Sequence, residues 1–130
     1  MAFEQQIIAS EADIDEHGHV NNAVWVRWIQ DVAVAHWYAL VTPEESAGQI
    51  WVVIRHEIDY VGNLRAGDAV MARTWVPDPP RGAKFDRHMV FTGADGREKV
   101  RAISTWVMLD RASGRPMRIP AELAARFLEN

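Results

Sequence analysis

The sequence contains no cysteine. Disulfides, cysteine-ligated zinc, iron–sulfur clusters and a thiol nucleophile are therefore excluded. Such a chain fits a reducing compartment, and a cytoplasmic location is the expectation. Positive charge is not in excess either: 14 Lys and Arg against 18 Asp and Glu leave a net charge of −4 with neutral histidines. General nucleic-acid binding rests on neutralising phosphates, so that class is disfavoured, while a local basic pocket for an anion is not. Long apolar runs are also missing. The most apolar window, residues 23–41, contains Arg27, Gln30, Asp31 and His36 and is too polar to span a bilayer. Met1-Ala2-Phe3-Glu4-Gln5-Gln6 has no basic segment leading into an apolar stretch, so no signal peptide is expected. No linker, repeat or shift in composition divides the chain, and residues 1–130 are expected to form one domain.

What is present is globular in composition, with 48% apolar and 25% charged residues. Residues 3–9 read as a short strand. A polar stretch, residues 10–22, reads as a loop that ends by capping a helix through Asn21 or Asn22. The helix runs over residues 22–40. At about 100° per residue, Arg27, Gln30, Asp31, Val34 and Tyr38 share one narrow arc. The rest carries Val24, Trp25, Trp28, Ile29, Val32, Ala35, Trp37, Ala39 and Leu40, interrupted only by His36. A face that wide calls for a helix wrapped by other structure. Pro43 disfavours a helical Thr42 and opens a short turn of its own.

Strand patterns follow at residues 51–60, 69–76, 84–92 and 99–110, with turn chemistry at Asn63, Ala66-Gly67-Asp68 and Asp95-Gly96. In the third of these, Phe85, Arg87, Met89 and Phe91 share one face. Residues 120–128 read as a short C-terminal helix. The order predicts an α+β fold, one long helix covered by a curved, mainly antiparallel sheet of five or six strands. A single helix cannot cover both faces and the edges of such a sheet, so a homo-oligomer is expected.

The densest cluster of reactive groups is Asp13, Asp15, Glu16, His17, His19, Asn21 and Asn22, directly before the helix. A helix start carries unpaired N–H groups and partial positive charge, which can hold a developing oxyanion. A carboxylate in the same loop can act as general base or nucleophile. Acyl transfer needs that combination. Taken alone, the same residues also suit an ordinary turn and cap.

The string Asp13-Ile14-Asp15-Glu16-His17-Gly18-His19-Val20-Asn21-Asn22, with Trp25 and Trp28 on the helix, resembles the hotdog-fold acyl-CoA thioesterases, nearest the 4-hydroxybenzoyl-CoA thioesterase-like family. Ile58-Asp59-Tyr60, Leu64-Arg65-Ala66-Gly67-Asp68, Asp110-Arg111, Gly114-Arg115-Pro116 and Ile119-Pro120 extend the likeness in order along the chain. The resemblance implies the hotdog fold, dimers joined edge to edge and often tetramers, with the site at the dimer interface. It puts the catalytic carboxylate on Asp15, the polarising backbone N–H on Asn22 and a loop-shaping role on Gly18. It implies an acyl-CoA or acyl-carrier-protein substrate, coenzyme A entering only as part of that substrate, with no cofactor and no metal required. Relatives often carry Tyr in place of Trp25 and a helical Glu in place of Gln30, so Trp25 is a candidate for reshaping the acyl pocket.

The remaining candidates have plainer readings. Asp13 reads as structural, bonding loop N–H groups. His17 and His19 lack an assured third metal ligand, and the EF-hand pattern fails because its twelfth position is Val24. His19 reads as a loop anchor, with substrate contact as the sharper alternative. His36 reads as a core or interface histidine, and the tryptophans, Trp28 and Trp51 among them, as packing. Arg81 and Lys84, beside a Gly/Pro-rich turn, are candidates for the phosphates of coenzyme A. Like Arg65, Arg87 and Arg101, they read by default as solvated charges.

The function expected is hydrolysis of acyl thioesters, with neither nucleic acid nor membrane as partner. The alternatives are a module that binds an acyl thioester without cleaving it, and a hotdog dehydratase or hydratase, whose His-plus-acid motifs are not found here.

Overall fold

A computed structural model describes residues 2–128. The elements in chain order are β1 (Phe3–Ile8), a 3-10 turn (Glu11–Asp13), α1 (Asn22–Leu40), α2 (Pro43–Ser46), β2 (Gln49–Tyr60), β3 (Ala69–Trp75), β4 (Lys84–Gly93), β5 (Glu98–Asp110) and α3 (Ala121–Ala125). The strands form one sheet of five in the order β1-β3-β4-β5-β2, antiparallel throughout. It is an open, curved sheet with α1 packed against it.

Local chemistry sets the ends of α1. The Asn21 side chain accepts a hydrogen bond from the Ala23 N–H at 2.9 Å, which satisfies one orphan donor of the first turn. At the other end Val41 turns extended, and the Thr42 side chain and Glu45 cap each other around Pro43 to start α2. Both ends fall where the sequence pattern puts them.

The main core is one face of α1, with Trp25, Ile29 and Val32, against Val70, Ala72, Met89, Phe91, Val100 and Ala102 from the middle strands. Full burial of such side chains is worth about 1.5–3 kcal/mol each, which fixes the helix on the sheet. A smaller cluster of Val41, Val76, Met108, Ile119, Leu123 and Phe127 holds the C-terminal segment.

Four expectations change. The apolar face of the helix stops short of its C-terminal end: Ala39 and Leu40, assigned to that face, are exposed, whereas Val34 and Tyr38 are exposed as their arc predicts. One curved sheet reaches only one flank of a helix. The C-terminal helix ends at Ala125 rather than running to residue 128, because Leu128 bridges in parallel to Val76. The first long strand begins two residues earlier, at Gln49, and bulges between Val53 and Arg55. Arg87, read as a solvated charge, is only 4% exposed. It lies on the inward face of β4 with Phe85, Met89 and Phe91, and strand alternation carries it into the interior.

Candidate active site

The loop before α1 is a small hairpin built from its own polar residues. Ile14 and Val20 bridge in antiparallel fashion, the Asp15 N–H donates to the His19 carbonyl at 2.8 Å, and the Asn21 N–H donates to the Asp13 carbonyl at 3.0 Å. Gly18 takes φ of 78° at the tip, and its N–H closes the turn onto the Asp15 carbonyl at 3.1 Å. A side chain there would meet nothing within 4 Å, so glycine is required for conformation and not for space.

Asp15 is half-buried in this hairpin. Its Oδ1 accepts from the N–H groups of His17 at 2.9 Å and His19 at 3.3 Å. Among the described residues nothing donates to its Oδ2. One oxygen is thus clamped by backbone and the other is left for chemistry. His19 anchors the loop, as expected, but through its backbone; its side chain is exposed.

Asp13 underpins the hairpin. Its Oδ2 accepts from the Ser10 N–H at 2.9 Å and the Ser10 hydroxyl at 3.0 Å, and its Oδ1 accepts from Arg27 at 3.1 Å. The bond from the Ser10 N–H, helped by the Ser10 hydroxyl and by Arg27, holds its carboxyl below the ordinary carboxylate range against the opposing effect of burial.

At the start of α1, the Ala23 N–H is taken by Asn21 Oδ1, and those of Val24 and Trp25 by the Asn21 carbonyl. The Asn22 N–H has no acceptor among the described residues. It is a free donor at the positive end of a helix of 19 residues. The structure thus brings Asp15, Gly18, His19 and Asn22 into one hairpin and helix start.

Trp25, Arg81 and Lys84 lie elsewhere. Trp25 has no exposed surface and packs edge-on against Trp28 and Phe91 in the core. Arg81, on the β3–β4 connection, and Lys84, the first residue of β4, are bridged to each other through backbone bonds of 2.7 and 3.1 Å. Arg81 faces Asp86 at 3.4 Å, while Lys84 has no ion-pair partner among the described residues. The hydrogen bond from Thr105, then Arg81, holds the Asp86 carboxyl below its usual range. Three clefts, at Trp37–Phe127, at Trp37–Trp106 and at Trp75–Ile103, do not include the Asp15 hairpin. No three of the described His, Asp or Glu residues gather as a metal site. No helix among them is long and apolar enough to cross a membrane.

Sequence reasoning missed Asn63 as a site residue. It stands just past β2, and its Oδ1 accepts from the Val20 N–H at 2.9 Å, tying the hairpin to the sheet. Its turn chemistry was legible, but nothing local links it to a residue 43 positions away. Arg87 did carry a signal, its place on the apolar face of an alternating strand.

The profile of the thioesterase-like superfamily matches residues 11–127 of this chain. No curated protein matches it in a sequence search. Among solved structures, a mutant 4-hydroxybenzoyl-CoA thioesterase complexed with 4-hydroxybenzoyl-CoA superposes with a TM-score of 0.88 at 14% identity, over 97% of this chain and 98% of the other. A Staphylococcus aureus protein in complex with CoA gives 0.87 at 15% identity, over 97% and 81%. A Thermus thermophilus thioesterase complexed with coenzyme A and Zn gives 0.82 at 23% identity, over 95% and 94%. The fold is that of the hotdog thioesterases.

Proposed function

This chain belongs to the thioesterase-like superfamily, and on that premise we propose that it hydrolyses acyl thioesters, with acyl-CoA as the substrate class and Asp15 as the reacting carboxylate. The observation that carries the reading is the state of Asp15. Its Oδ1 is held by two backbone N–H groups while, among the described residues, nothing donates to Oδ2 and nothing accepts from the Asn22 N–H at the helix start that the hairpin leads into.

In the reaction, the thioester carbonyl oxygen takes its developing negative charge toward the Asn22 N–H. Water adds to the carbonyl carbon as Oδ2 accepts its proton, or Oδ2 adds itself and water then cleaves the resulting anhydride. Either route breaks the C–S bond, expels the thiolate, and returns one acid and one thiol per water consumed. A donor of the Asn22 kind typically lowers the barrier by about 2.7–4 kcal/mol. The CoA carried by related structures supports that thiol over others, and Arg81 and Lys84 are the candidates for its phosphates.

The substrate site is assigned to the boundary between two copies of the chain. The support is that the three clefts formed by the described residues at Trp37, Trp51 and Trp75 do not include Asp15, and that β2 is a long edge strand exposing Val52, Ile54 and Tyr60. An unprotected edge of that length pairs readily with another strand.

The deciding experiment is thiol release from a panel of acyl-CoAs by the wild type and by Asp15→Asn and Asp15→Ala. Loss of a general base or nucleophile is expected to cut turnover by about 10²–10⁴-fold. Asp15→Asn keeps an acceptor for the His17 and His19 N–H groups, so its melting curve is expected to match that of the wild type. Near-normal turnover in Asp15→Ala removes the assignment. An acyl-CoA that the wild type binds without releasing thiol, across the whole panel, replaces hydrolysis with binding.

A further inference from the structure

Among the described residues Arg87 is a buried cation without a counter-ion. Its Nη1 donates to the Thr74 hydroxyl oxygen at 3.0 Å and lies 2.8 Å from His36 Nδ1. The Thr74 hydroxyl donates onward to the His88 carbonyl, so its oxygen accepts from Arg87 as a neutral group. No carboxylate pairs with Arg87 among the described residues. Burial pushes its pKa down to about 10, which still leaves it charged near neutrality. A lone buried charge is costly, and proteins that keep one use it.

The unmet hydrogen bonds around Arg87 point the same way. Its Nε is buried without an acceptor. So are the indole N–H groups of Trp51 and Trp106, and the Gln49 Oε1 lacks a donor. These four residues all line one cleft, between the flank of α1 and the β2–β5 end of the sheet, with about 820 Å³ of space including its open mouth. Native interiors leave few such groups unpaired, so the three donors on one wall, Arg87 Nε and the two indole N–H groups, indicate a ligand with oxygen acceptors. Aromatic rings form the rest of the wall: Trp51 meets Trp37 edge-on at 5.4 Å and Phe85 at 5.1 Å. The other cation at the cleft, Arg111, is already spent on the carbonyls of Ala47 and Gln49 at 2.8 and 3.2 Å.

We infer that this cleft binds an organic monocarboxylate with a flat apolar body, its carboxylate held by the Arg87 guanidinium and the indole N–H groups, its body stacked among Trp37, Trp51 and Phe85. A single available cation matches a monoanion better than a phosphate, and a carboxylate has lone pairs enough for several donors. The inference does not rest on the thioesterase reading, since Asp15 lies outside this cleft.

The test is titration of the wild-type protein with phenylacetate and with its neutral isostere phenylacetamide, read by tryptophan emission and by calorimetry. Saturable phenylacetate binding, at least tenfold tighter than phenylacetamide, is expected. Arg87→Met should bring phenylacetate down to the level of the amide and leave the amide unchanged, with Arg87→Lys in between. Equal binding of acid and amide by the wild type, or binding of neither, overturns the inference, and this arm decides even if the Arg87 variants fail to fold. Undiminished phenylacetate binding by a folded Arg87→Met overturns it as well.

Discussion

Asn63 holds Val20 across 43 residues of sequence: its side-chain oxygen accepts the Val20 N–H at 2.9 Å and the Leu64 N–H at 2.8 Å. Val20 is buried, so its N–H has no water to fall back on. This bond fixes the Asp15 hairpin against the end of β2. Asn63→Ala leaves a buried donor unpaired and should cost roughly 1–3 kcal/mol. Turnover should fall while KM for acyl-CoA changes little, and Asn63→Asp, which keeps the acceptor, should recover most of it. Denaturant titration and steady-state kinetics on the three proteins check this.

Gly18 tests whether the hairpin must keep its shape. Because its Cβ would meet nothing, Gly18→Ala is penalised only by φ of 78°, at about 1–2 kcal/mol. Gly18→Asn, which tolerates that region, should cost less. Thermal melts should rank glycine, then asparagine, then alanine, and thioesterase activity should follow the same rank.

Asp13 predicts a pH dependence. Its folded carboxyl titrates below the ordinary value of 3.8, so the unfolded chain binds more protons in acid. The stability it contributes is fully present above pH 3.8 and is lost as pH falls through the lower folded value. Asp13→Asn removes this component, so its stability should fall less steeply with acid than that of the wild type. Urea midpoints between neutral pH and strong acid measure the difference.

Trp25 separates a packing role from a pocket role. It is 0% exposed and meets Trp28 and Phe91 edge-on at 5.0 and 5.3 Å. Trp25→Ala should cost about 3–5 kcal/mol, with Trp25→Phe milder. If Trp25→Phe keeps the wild-type ranking of acyl-CoA substrates, the residue acts through the core.

The β2 edge tests the shared site. Val52→Lys with Ile54→Lys charges two exposed positions on that strand, Ile54 being 55% exposed. Sedimentation should shift toward the monomer and turnover should fall with it, while far-ultraviolet circular dichroism is retained. A monomeric variant with full activity would place the whole site within one chain.

The residues themselves determined whatever local chemistry controls. Asn21, Thr42 and Pro43 set the ends of the long helix, because caps and proline act within a few residues. Period-two alternation marked the strands. The loop motif, by its resemblance, marked the thioesterase-like family. Tertiary structure alone decided the pairings between distant parts of the chain. Nothing near Asn63 announces Val20, and the hydrogen bond exists only because β2 ends beside the hairpin. Arg87 shows the same division. Alternation put it on the apolar face, but only packing removed its water, because desolvation depends on every element that closes around a charge.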